Sequence, residues 1–108
     1  MAMESVSSQP ASRAGRVPPH SEEAERGVLG SILLDSARVM DICVERQISP
    51  ESFYVPAHRI VYEAMLDLAK QAAAIDILTV TEKLKAAGGL ETIGGTVFLD
   101  RLIDSTPT

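Results

Sequence analysis

Between Ser49 and Ala69 the chain reads SPESFYVPAHRIVYEAMLDLA, and no other stretch restricts the fold as strongly. Three of the four aromatic residues, Phe53, Tyr54 and Tyr62, lie inside it. Aromatic side chains contribute the most burial per residue, so in a small chain they mark the core. Pro56 suits the first turn of a helix, where its missing N–H is no loss, and Val55 before it is steered out of the helical region. From there Ile60, Val61, Ala64, Met65 and Leu68 recur at spacings of three and four, with Arg59, Glu63, Asp67 and Lys70 mostly between them. A helix starting near Pro56 is predicted, one face buried and one wet. Ser49-Pro50 opens a short turn ahead of it, from which Phe53 and Tyr54 are expected to fold back as the plug of the core.

The flanking sequence carries the same helical period. Met1 to Val17 is rich in Ser, Ala, Gln and Gly and lacks apolar periodicity, which predicts a flexible N-terminal arm over residues 1–17 and a helical domain over 18–108. After Pro18 and Pro19, Ser21 is placed to cap a first helix, with Glu22, Glu23 and Glu25 in the turn where carboxylates suit the positive helix end. His20, just ahead, is expected to be exposed. Ala24, Val28, Leu29, Ile32 and Leu33 share a face, and Gly27 and Gly30 are expected to let a neighbouring helix approach. Asp35 or Ser36 can cap a second helix with Val39, Met40, Cys43 and Val44 inward. Beyond the central helix, Asp76 caps another carrying Ile77, Val80, Thr81, Leu84 and Ala87, which Gly88 and Gly89 stop. Leu90 to Gly95 reads as a turn or a single helical turn. Thr96 then opens a last helix with Val97, Phe98, Leu99, Leu102 and Ile103, ended by Pro107. Nothing alternates convincingly in period two, so the expected fold class is all-α, a small compact domain of about five to six helices.

Composition narrows the functions open to such a domain. A formal charge of −5 and a pI near 4.9 disfavour tight binding of a phosphate backbone. The single cysteine, Cys43, cannot form an internal bridge, and it and two histidines have no recognised zinc spacing, so no metal site is expected. Cys43 sits at a core spacing. No apolar run reaches the length of a membrane helix, and no signal-peptide core is visible, which points to a cytoplasmic protein without membrane contact.

Catalytic readings fail on their own chemistry. GLETIGGT, Gly89 to Thr96, comes within one position of the phosphate-cradling G-x-x-x-x-G-K-[ST] pattern. Gly95 stands where the lysine must be, and helical residues rather than a strand precede the loop. Its glycines are better read as helix punctuation. His58 has no serine or cysteine nucleophile at a recognisable spacing and is expected to bond a nearby backbone group or carboxylate. Paired carboxylates such as Glu22 with Glu23 read as solvated helix faces. No catalytic, cofactor-binding or metal-binding residues are assigned.

Taken together, PPHSEEAERGVLGSILLD, SPESFYVPAHRIVYEAMLDL, IDILTVTEKL and GGLETIGGTVFLDRLIDSTPT resemble, in that order, the N-terminal domain of bacterial replicative DNA helicases of the DnaB family. The resemblance runs from about Val17 to Thr108. Matched residues include Ala24, Glu25, Leu29 and Gly30, then Phe53, Tyr54 and His58, then Asp76, Leu84, Gly94, Gly95, Leu99 and Leu102, all of which look like fold residues. The resemblance implies an all-helical domain ringing one end of a hexameric ATP-driven helicase and contacting primase and, in many bacteria, a helicase loader. ATP and magnesium would be held in a separate motor domain, and DNA engaged through the full-length protein. The chain is then expected to be a fragment, cut before the helical hairpin and motor that follow in the family. Gln71 to Ala74 departs from the pattern, which usually has a Gly-Pro type turn there, and the loop is expected to be more helical.

The last helix holds five apolar residues in Val97–Ile103, more than one core-facing stripe hides. The surplus is expected around Phe98, with Arg101 and Leu102, as a partner interface giving weak self-association. Two other readings stand beside this one: a stand-alone adaptor or phage replication protein of the same fold, and a small helix-turn-helix DNA reader. The helix starts here are apolar or acidic, which opposes the second.

Overall fold

The computed structural model describes residues 21–106. Ser21 opens α1, Glu22–Leu34, its hydroxyl accepting the Ala24 N–H at 3.0 Å with the three glutamates in the first turn. α2, Ser36–Glu45, follows across Asp35, whose carboxylate takes the Arg38 guanidinium at 2.7 Å rather than a backbone N–H. The predicted Ser49-Pro50 turn is a 3-10 turn, Pro50–Ser52, and α3 begins at Pro56 and runs to Lys70. Asp76 caps α4, Ile77–Ala87, by accepting the Thr79 N–H at 2.8 Å while Thr79 Oγ1 takes the Asp76 N–H at 2.9 Å. α5, Leu90–Ile93, and α6, Thr96–Asp104, complete the order. Among the described residues there are six α-helices and no strand, the all-α class that the periodicity predicts. The arm over residues 1–17, His20 and Pro107 lie outside the described residues.

α3 is the axis of the core. Val61, Tyr62 and Met65 on it are fully buried, with Ala64 and Leu68 nearly so. α1, α4, α5 and the 3-10 turn pack against it, while α6 lies on α1 and α4. Phe53 is the expected plug, its ring 4.9 Å from that of Tyr62. Tyr54 is not: it is 58% exposed. Successive side chains of an extended segment point to opposite sides, so only one of the adjacent pair can enter the core. Val44, expected inward, is 56% exposed for a related reason. Met40 and Cys43 complete the buried stripe of α2, and Val44 is one helical step, about 100°, beyond Cys43. Ile48 packs against the core instead, returned by the turn after α2.

The two glycines of α1 also separate. A Cβ on Gly30 would collide with Thr106 Oγ1 and the Leu102 carbonyl, so the absence of a side chain lets α6 cross here. A Cβ on Gly27 would meet nothing, contrary to the expectation of close packing there.

α2, α3, α4 and α5 stop in one way. A residue at positive φ follows each: Gln47 at 59°, Ala72 at 55°, Gly88 at 78° and Gly94 at 106°. The next N–H then reaches back to a carbonyl five residues earlier: Ile48 to Cys43, Ala73 to Leu68, Gly89 to Leu84 and Gly95 to Leu90, at 2.8 to 2.9 Å. These are Schellman stops. The expectation of a more helical segment at Gln71 to Ala74 is not met: α3 ends at Lys70 and Ala72 takes the left-handed turn without a glycine.

Candidate functional site

Glu25 lies four and seven residues before Leu29 and Ile32, on the buried side of α1, and its side chain is only 12% exposed. Its Oε1 accepts the ring Nδ1 of His58 at 2.7 Å and the Val55 N–H at 3.3 Å; Oε2 accepts the Tyr54 N–H at 2.7 Å. Burial pushes this carboxyl up, but the bonds from His58, Tyr54 and Val55, and the attraction of His58, outweigh it and hold the group below its ordinary 4.5. An ionised carboxylate only accepts, so His58 Nδ1 carries the hydrogen. One side chain of α1 thus fastens the N-terminus of α3, where a negative charge also meets the helix dipole favourably. Arg59 adds a bond from Nε to the Phe53 carbonyl at 2.7 Å.

His58 is 2% exposed, flanked by the rings of Phe53 at 6.5 Å and Phe98 at 5.8 Å. It is the carboxylate-bonded structural histidine that its setting predicts. Cys43 is buried as expected, its thiol pushed up by burial beside the Tyr62 hydroxyl. Burial, then the neighbouring Cys43, pushes Tyr62 up to about 12, and its hydroxyl donates to the Ile48 carbonyl at 2.7 Å. Among the described residues no group of three His, Cys, Asp or Glu side chains is placed to hold a metal. The GLETIGGT stretch is α5 with Gly94 and Gly95 behind it, and it follows a helix.

The three residues expected at a partner surface do meet. Phe98, Arg101 and Leu102 line a shallow groove of about 390 Å³ between α1 and α6, together with Arg26, Asp104 and Ser105. Their roles differ. Arg101 is exposed, Phe98 is half-buried against His58, and Leu102, 1% exposed, belongs to the core and forms the floor. The surplus apolar surface expected around Phe98 falls mainly on Val97, 55% exposed. Two participants escaped the sequence reading. Glu25 was read as a first-turn carboxylate and a matched fold residue but not as the partner of His58, although its spacing to Leu29 and Ile32 marks the inward face. Arg26 carries no such signal, because only the crossing of α6 over α1 brings it to the groove.

An all-helical domain stitched by a buried carboxylate, with an open groove between its first and last helices, is the class that this geometry defines. The family model described as DnaB-like helicase N terminal domain matches residues 17–108. Replicative DNA helicase DnaB of Geobacillus stearothermophilus is 42% identical over 93 residues, covering 86% of this chain and 20% of that protein. The DnaB of Treponema pallidum is 36% identical over 94 residues, covering 87% and 21%. The crystal structure of the N-terminal domain of DnaB helicase from Mycobacterium tuberculosis superposes with a TM-score of 0.78 at 40% identity, over 85% of this chain and 62% of that one. The chain belongs to the DnaB-like helicase N-terminal domain family. It spans about a fifth of the length of these two curated relatives.

Proposed function

We propose that this chain is the scaffold and protein-interaction domain of a hexameric, ATP-dependent replicative DNA helicase, supporting ring assembly and contact with primase or a helicase loader in the cytoplasm. The observation that carries the reading is the family match over residues 17–108. The groove between α1 and α6 supports it, since an apolar floor rimmed by Arg26, Arg101 and Asp104 is the composition of a protein interface. The stretch nearest to a phosphate-cradling pattern is wound as α5 and has Gly95 where a lysine is required, which supports placing ATP elsewhere in the parent. ATP and magnesium are assigned to a motor region of the parent, and DNA to the assembled helicase.

Sedimentation of the chain alone and with purified primase tests the reading. Weak, concentration-dependent self-association is expected, and Arg101→Glu, an exposed change, should weaken primase binding about tenfold while the melting temperature stays put. Primase binding that is indifferent to both Arg101→Glu and Phe98→Ala would remove the groove from the reading. The purified chain should show no ATP turnover; turnover abolished by a change at Gly94 would overturn the assignment of ATP to another region.

A further inference from the structure

A second groove, sharing no residue with the first, runs between α3 and α4. Ile60, Ala64 and Leu84 form its apolar floor, the exposed Ala87 also lines it, and its volume is about 390 Å³. Gly89 keeps one end open: a Cβ there would stand 3.2 Å from Ile60 Cγ2 and 3.7 Å from Leu84 Cδ2. The edges carry opposite charge. Glu63 and Asp67, one turn apart on α3, form an acidic edge, and Lys83 on α4 faces them across the floor. None of the three has an ion-pair partner; the pairs among the described residues are Arg26 with Glu22, Arg38 with Asp35 and His58 with Glu25.

We propose that this groove docks an amphipathic helix of a partner protein, its apolar stripe on the floor and lysines or arginines spaced i, i+4 along the edge that meets Glu63 and Asp67. An apolar trough with two carboxylates along one edge and a single lysine on the other fits a helix, whose apolar stripe is narrow and whose flanks can differ in sign. A polyanion is disfavoured by the two carboxylates. An added strand would need an unpaired sheet edge, and the described residues form no sheet. Unpaired charges at the rim also favour an occupant that supplies their partners. The inference does not depend on the function proposed above.

The test titrates this chain with a labelled helical peptide of about 18 residues, leucines at every third and fourth position and lysines along one flank. Nitrogen-15 amide shifts should centre on Ile60, Ala64, Leu84 and Ala87. Glu63→Lys and Asp67→Lys should each weaken binding about two- to fivefold, and Ala87→Tyr, which fills the trough, by about tenfold. A peptide with glutamates in place of the lysines should bind the doubly reversed chain better than the parent. Glu63 and Ala87 are exposed, so thermal melts should stay near the parent's. Equal binding of the lysine and glutamate peptides, shifts centred on the groove between α1 and α6, or self-association through Ala87 that the peptide cannot displace would each overturn the proposal.

Discussion

A single carboxylate holds together two helices that are more than twenty residues apart in the chain. Glu25 is fixed by three donors, and removing it takes away the carboxylate that the Tyr54 and Val55 N–H groups and the His58 ring share. Glu25→Ala should therefore cost about 3 kcal/mol, visible as a lowered midpoint in urea unfolding. The pH dependence follows from the depressed value of the group. A carboxyl lower in the folded than in the unfolded chain binds fewer protons when folded, so its stabilisation is complete above 4.5 and is lost as pH falls through the folded value. Melts between pH 5 and pH 2, of the order set by that carboxylate range, should show a loss of stability that is shallower in Glu25→Gln. Phe53, 4% exposed against Tyr62, is the other single point of failure: Phe53→Ala should cost about 3–5 kcal/mol. A melt within a few degrees of the parent would contradict its place in the core.

At the scale of the element, the stops are as informative as the helices. Ala72 and Gly88 hold equivalent left-handed positions, one with a side chain and one without. A left-handed residue with a Cβ is disfavoured by roughly 1–2 kcal/mol, while a glycine gains freedom when unfolded. Ala72→Gly should then stabilise by about 0.5–1 kcal/mol and Gly88→Ala destabilise by about 1 kcal/mol, no atom lying near enough to Gly88 for packing to intervene. Calorimetric midpoints moving in opposite directions are the expected outcome. The same comparison shows where sequence is readable. Helices and their starts are written locally, in Ser21, Pro56 and Asp76 and in the spacing of Val61, Met65 and Leu68, so periodicity and capping chemistry found them. Gly88 was readable as a stop because glycine advertises positive φ. Ala72 and Gln47 were not, since nothing in an alanine or a glutamine announces a left-handed turn that tertiary packing imposes. The groove between α1 and α6 was half legible: the apolar surplus of α6 pointed to it, but Arg26 and the sinking of Leu102 into the floor depend on how two helices distant in sequence cross at Gly30.

Across the whole molecule the helices are not equally embedded. α3 is gripped from several sides, whereas α2 rests chiefly on α1. The one cysteine of the chain sits on α2 with 2% of its surface exposed. That pairing makes Cys43 a clock for partial opening. A thiol reagent in excess can modify it only when α2 lifts away, so the labelling rate, divided by that of the unfolded chain, measures the population of the opened form. Each tenfold slowing corresponds to about 1.4 kcal/mol of protection. If α2 detaches by itself, labelling should be faster than global unfolding allows and should respond only weakly to added urea.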